Sequence, residues 1–148
     1  MTNEQKYWEE FDECAAKGIR PIVEKIIKWV RPKVDSCDVS DGSSKYWRSI
    51  VPVIGKSKLK AFSIWASDRF AEIEVNFGRY TKKYSPMDKD EKKKELVDKL
   101  NEIEGVNISY EEINKRPRFK IQLLENESNF KKFTEAFDWF YEQLETKT

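Results

Sequence analysis

The stretch KLKAFSIWASDRFAEIEVNF, residues 58–77, reads as a β-hairpin. A strand turns alternate side chains to opposite faces. The first arm then sets Phe62 and Ile64 against Ala61, Ser63 and Trp65, and the second sets Ile73, Val75 and Phe77 against Glu72, Glu74 and Asn76. A two-residue turn at Ser67-Asp68 puts Phe62 opposite Ile73, Ile64 opposite Ala71, Ser63 opposite Glu72 and Trp65 opposite Phe70. Both arms then share one apolar face. Ser-Asp is not the favoured Asn-Gly pair, which leaves a longer loop open. A lone hairpin is marginal in water, so the apolar face needs a cover.

The flanking sequence supplies that cover mainly as helices. Residues 3–16 place Trp8, Phe11 and Ala15, with Tyr7 and Cys14, on one helical face, and Gly18 stops the helix. Pro21 suits the first turn of a second helix, buried through Ile22, Val23, Ile26, Ile27, Trp29 and Val30 and ended by Pro32. Residues 33–58 carry turn chemistry at Asp35, Ser36, Asp38, Ser40, Asp41 and Gly42-Ser43-Ser44. Val34, Cys37 and Val39 suggest a short strand there. Ile50, Val51, Val53 and Ile54 suggest another, and Pro52 argues for an edge.

Beyond the hairpin, Ser85-Pro86 reads as N-cap and first helical residue, with Asp88, Asp90 and Glu91 near the positive end of the dipole. Leu96, Val97, Leu100 and Ile103 form the stripe, and Gly105 is the C-terminal cap. Ser109-Tyr110-Glu111-Glu112 fits a capping box and predicts a brief helix through Asn114. Residues 118–123 alternate as a half-buried strand, with Phe119, Ile121 and Leu123 inward, and that strand is expected to join the hairpin. Phe130, Phe133, Phe137, Phe140 and Leu144 repeat at helical spacing over 126–144. No internal repeat or linker divides residues 1–148. The expected fold is one α+β domain: a small, mainly antiparallel sheet (hairpin 59–77 plus strand 118–123) with helices packed on one face.

Composition excludes more than it selects. The 148 residues suffice for a core, and 14% aromatics argue against disorder. Lys+Arg 28 against Asp+Glu 27 leaves a net charge of +1, so attraction to nucleic acid has to come from a local patch. Histidine is absent, which removes Ser-His-Asp and Cys-His catalysis and His-ligated metals. Cys14 and Cys37 are too few for a four-Cys zinc site and read as reduced thiols. With no spanning apolar run and no signal-peptide pattern, the expected location is the cytoplasm and no membrane partner is expected.

Four motifs touch on chemistry. Asp68, Glu72 and Glu74 lie on a hairpin, as carboxylates do in many metal-dependent nucleases, but Glu72-Ile73-Glu74 lacks the following Lys, and a solvated acidic face explains it. Asp35, Asp38 and Asp41 fail the calcium-loop pattern, whose twelfth position is Tyr46. Gly55-Lys56-Ser57 has the end of a phosphate loop without its first Gly and precedes a strand. The Phe stripe of the last helix reads as core rather than as a groove ligand.

Three segments mix cations with rings: Lys45-Tyr46-Trp47-Arg48, then Arg79-Tyr80 with Lys82-Lys83-Tyr84, then Lys115-Arg116 with Arg118 and Lys120. Rings beside phosphate-binding cations are what single-strand binding uses.

The segment from Ser85 onward carries Leu100-Asn101-Glu102-Ile103-Glu104-Gly105-Val106, Lys115-Arg116-Pro117 and Asp138-Trp139. In these blocks, and in the EIEVNF arm, it resembles a C-terminal domain of bacterial proteins, some of which carry a restriction-endonuclease-like nuclease domain. The loops before the hairpin, around Ser36-Cys37-Asp38-Val39 and Gly42-Ser43-Ser44, depart from that family's Gly-rich pattern. The resemblance implies an accessory module in bacterial or phage nucleic-acid or defence biology, with no catalytic residues to carry over.

The resulting expectation is a non-enzymatic module without metal or cofactor. It is expected to bind nucleic acid through Lys45, Trp47, Arg48, Arg79, Tyr80, Lys82, Lys83, Lys115, Arg116 and Arg118. The alternatives are a protein-binding inhibitor or adaptor of a nuclease complex, presenting Trp47 or Tyr84, and a metal-dependent hydrolase using Asp68, Glu72 and Glu74.

Overall fold

The computed structural model describes residues 5, 8, 9, 11, 12, 18–40, 48–56, 58–66 and 71–145, the side chains of Ser40, Arg48 and Glu145 excepted. Five strands make one antiparallel sheet in chain order: β1 (Ser36–Ser40), β2 (Arg48–Val53), β3 (Phe62–Ala66), β4 (Ala71–Val75) and β5 (Arg118–Lys120). Among the described residues three α-helices accompany it, α1 (Arg20–Val30), α2 (Asp90–Leu100) and α3 (Glu127–Glu145). The α+β architecture is as the sequence implies, with a sheet wider by β1 and β2 than the hairpin plus one strand. Of the N-terminal segment, residues 5, 8, 9, 11 and 12 are helical, and Phe11 is buried. Cys14 lies outside the described residues.

One apolar row crosses the whole sheet. Val39, Ile50, Ile64, Ile73 and Phe119 are successive cross-strand partners. Phe62 on the same face meets Trp29 of α1 at 6.4 Å between ring centroids, and Phe133 and Phe137 of α3 at 5.4 and 4.7 Å. The hairpin's apolar face is thus covered by α1 and α3, and α2 packs on α3 through a buried stripe of Leu96, Val97 and Leu100.

The hairpin keeps its faces and changes its register. Phe62 pairs with Val75, Ser63 with Glu74, Ile64 with Ile73, Trp65 with Glu72 and Ala66 with Ala71. This shifts the expected pairing by two residues, which leaves every side chain on its face. The described part of the ladder reaches Ala66 and Ala71, which residues 67–70 connect. That connection, including Asp68 and Phe70, lies outside the described residues.

Three further expectations are corrected. β2 lies between β1 and β3, and β1 is the edge. The β2–β3 ladder covers only Arg48 to Ile50, so Pro52, which lacks an N–H, interrupts no bond to β3. As expected, α1 ends just before Pro32, with Arg31 as its C-cap, and a 3-10 turn, Arg31–Lys33, follows. Helix α2 starts at Asp90 after Lys89, not at Pro86. The preceding turns bury Met87 completely, which a solvent-facing first helical turn would not do. Finally, β5 stops at Lys120 and the chain continues as a 3-10 helix, Ile121–Glu125. A three-residue period brings both Ile121 and Leu124 into the core, whereas a strand would send them to opposite faces.

Of two local signals, one behaves as read. The capping box closes at Ser109, whose N–H donates to Glu112 Oε1 at 3.0 Å, over a 3-10 turn Tyr110–Glu112. Gly105 is not the helix cap expected of it: α2 ends at Leu100 with Asn101 as its C-cap, and Gly105 takes φ +97° in the turns that follow.

Candidate nucleic-acid interface

The sheet face turned away from α1 and α3 carries two cross-strand rows. One runs Ser49, Trp65, Glu72, Lys120, and the other Ser63, Glu74, Arg118. On this face Ser49, Val51, Lys60, Ser63, Trp65, Glu74, Arg79, Arg116 and Arg118 line an open groove of ≈ 420 Å³. The floor is polar yet well buried: Ser49 is 2% exposed, Ser63 6% and Glu74 4%. Buried Asn76 ties that floor to the rim, its Nδ2 donating to Ser63 Oγ at 3.2 Å and to the Lys60 carbonyl at 3.3 Å.

The rim cations come from three separate segments. Lys60 precedes β3, Arg79 ends the 3-10 turn Phe77–Arg79, and Arg116 precedes β5. Arg79 is held between two anchors, fully buried Phe77 and Tyr80, whose hydroxyl donates to the Ala61 carbonyl at 2.6 Å. The connector is stitched to the 114–117 loop. The Val75 N–H donates to the Pro117 carbonyl at 2.9 Å, and the Gly78 N–H to the Lys115 carbonyl at 2.8 Å. A Cβ on Gly78 would stand 2.9 Å from the Asn114 carbonyl oxygen, so only glycine permits this approach.

Arg118 spans the acidic row. Its Nη2 lies 2.6 Å from Glu74 Oε2, its Nη1 3.6 Å from Glu72 Oε1, and its Cζ 5.5 Å from the Trp65 ring centroid. Among the described residues Lys60, Arg79 and Arg116 make no ion pair. Among the described residues the groove thus gathers four cations around one lining carboxylate, in a chain of net charge +1. This is the local patch that the overall charge balance conceals.

Of the residues singled out from sequence, Arg79, Arg116 and Arg118 converge here. Lys82 and Lys83 are exposed on the 3-10 turn Lys82–Tyr84, and Lys115 is exposed on its loop; none of the three lines the groove. Tyr80 is a core ring, 3% exposed and packed on Tyr84 and Phe140 at 5.1 Å each, and burial raises its hydroxyl pKa well above the ordinary range. It offers no stacking surface. Tyr84 is buried as well, accepting from the Lys60 N–H at 3.0 Å, so it presents no ring to a protein partner. Lys45, Tyr46 and Trp47 lie outside the described residues, as does the Arg48 side chain. Reading from sequence misses Lys60 as a rim cation, Trp65 as the groove's ring and Glu74 as its floor. The outward parity of residue 65 on the hairpin, a large ring on a polar face, is the signal that marks Trp65.

A larger, mainly apolar concavity of ≈ 560 Å³ beside α1 is lined by Trp8, Ile27 and Pro32 with Glu24, Lys28 and Arg31, and brings no comparable set of groups together. Among the described residues no three Asp, Glu, Cys or His side chains gather to hold a metal ion. Glu72 and Glu74 both face Arg118, and Asp68 lies outside the described residues. No helix among the described residues is long and apolar enough to cross a membrane. The chain matches no protein-family model, no curated protein and no solved structure.

Proposed function

We propose that the open sheet face binds single-stranded nucleic acid, as a non-enzymatic accessory module of bacterial or phage nucleic-acid biology. The observation that carries this reading is the convergence of Lys60, Arg79, Arg116 and Arg118 on one groove that also contains Trp65. Cations engage the phosphates, and an indole surface beside them accepts an unstacked base. A groove of ≈ 420 Å³ admits a nucleotide or two of a single strand and not the body of a duplex.

The test is a fluorescence-anisotropy titration against single-stranded DNA, single-stranded RNA and duplex DNA at two salt concentrations. Saturable single-strand binding that weakens with salt is expected. Arg79→Ala with Arg116→Ala should weaken it and flatten the logarithmic salt slope by about 0.7 for each phosphate no longer neutralised. Lys82→Ala, outside the groove, should leave affinity within about twofold of the wild type, well short of the loss from a groove cation. Equal losses from Lys82→Ala and from the arginine pair would remove the groove from the reading, and no binding to any nucleic acid would sink it.

A further inference from the structure

The groove floor holds a carboxylate that phosphate binding does not call for. Glu74 is 4% exposed and lines the groove, and its Oε2 is held by Arg118 Nη2 at 2.6 Å. Among the described residues no hydrogen bond or ion pair engages its Oε1. A site built for phosphate alone would place no anion at its centre, since a carboxylate repels phosphate. The groove instead combines three recognitions: free cations at the rim (Lys60, Arg79, Arg116), an indole surface (Trp65) and a buried acceptor (Glu74). A ligand satisfying all three carries a phosphate, a flat ring, and N–H donors on that ring. That ligand is a nucleotide whose base bears amino or imino donors.

We propose that Glu74 reads the base, so that the groove prefers guanine, then cytosine or adenine, and disfavours thymine and uracil. The inference rests on the nucleic-acid reading above. A carboxylate only accepts hydrogen bonds, and guanine offers it two adjacent donors, N1–H and the N2 amino group. Cytosine N4 and adenine N6 each offer one amino group. The single N–H of thymine or uracil is flanked by two carbonyl oxygens that oppose a carboxylate. The Arg118 contact fixes the carboxylate orientation, and both oxygens keep acceptor capacity beyond it.

The experiment measures anisotropy of the full chain with three short oligonucleotides. One is all thymidine, one carries a single central guanosine, and one carries an abasic site at that position. The guanosine oligomer is expected to bind at least about fivefold tighter than either other, the lower bound for a two-hydrogen-bond base contact. Glu74→Gln is expected to bind the guanosine and thymidine oligomers alike, because an amide presents a donor as well as an acceptor. Equal wild-type affinity for all three overturns the base-reading inference while the phosphate reading stands. Retention of the guanosine preference in Glu74→Gln overturns the assignment to Glu74. No binding of any oligomer overturns both readings. The wild-type comparison needs no variant, so the inference is tested even where Glu74→Gln folds poorly.

Discussion

The Gly78 N–H donates to the Lys115 carbonyl at 2.8 Å, and the residues that follow each of them in sequence, Arg79 and Arg116, both line the groove. This one bond joins the connector after β4 to the loop before β5, nearly forty positions along the chain. Two like charges brought together oppose the fold, so the backbone tether holds a pairing that the side chains resist. On the proposed reading, preorganisation of the groove resides in this backbone bond.

Gly78→Ala should therefore cost stability and affinity together. The added Cβ would lie 2.9 Å from the Asn114 carbonyl oxygen, a backbone atom that cannot swing aside. The expected loss is about 1–3 kcal/mol, the range for overpacking. It should appear as a lower urea midpoint with an unchanged m-value, and as weaker oligonucleotide binding below the melting range. Wild-type stability in Gly78→Ala would show that the two segments move apart at little cost.

Arg118 and Glu74 should prove energetically coupled. The Glu74 side chain is 6% exposed and that of Arg118 36%, so removing the arginine strands a buried carboxylate. Arg118→Ala is expected to destabilise by about 1–3 kcal/mol, part of it from removing the guanidinium that packs on Trp65. In a Glu74→Gln background the same change should cost less. A double-mutant cycle by urea denaturation measures the difference, and a coupling energy near zero would mean that the pair contributes position and no stability.

Much of the fold is legible because hydrophobic periodicity is robust to local error. The faces of β3 and β4 follow from alternation alone, and a register shifted by two residues does not disturb them. The register does not follow, since residues 67–70 have no Gly or Asn to fix a turn type. The same limit explains β5. Phe119 and Ile121 alternate as a strand, but the core takes Leu124 as well, and only packing against α1 and α3 decides between the two periods.

The site is less legible, for a different reason. Arg79 stands beside Tyr80 in sequence, and that neighbour tells little about what faces the groove. Tyr80 and Tyr84 are core rings, while the ring that lines the groove with Arg79 and Arg116 is Trp65, on β3. Convergence of residues 60, 65, 79, 116 and 118 is a property of strand order and of the Gly78–Lys115 bond, and neither is written in local composition.

Two buried tyrosines should respond oppositely to loss of the hydroxyl. Tyr80 donates to the Ala61 carbonyl, which also accepts from the Asn76 N–H at 3.1 Å. Tyr80→Phe leaves that carbonyl half-satisfied and should cost about 1 kcal/mol. The Tyr141 hydroxyl is buried with no hydrogen-bond partner among the described residues. Tyr141→Phe removes an unsatisfied polar group and should be neutral or stabilising by up to about 1 kcal/mol. Urea midpoints of the two variants decide it, and equal destabilisation by both would mean that the Tyr141 hydroxyl has found a partner.

Alkaline pH should destabilise the protein through the same two residues. Burial holds both the Tyr80 and Tyr141 hydroxyls protonated, with pKa values above the ordinary tyrosine range. In the unfolded chain each ionises near pH 10. Above that pH the folded state binds more protons than the unfolded one, so stability is intact below about pH 10 and falls as pH rises further. Each tyrosine adds about 1.4 kcal/mol per pH unit to the slope while it titrates only in the unfolded state. Urea melts from about pH 9 to about pH 11 should show that fall, and Tyr141→Phe should have a slope shallower by one tyrosine's share. Comparing the variant with the wild type cancels the lysines, which titrate in the same range in both proteins. Identical slopes would mean that the Tyr141 hydroxyl reaches solvent in the native state.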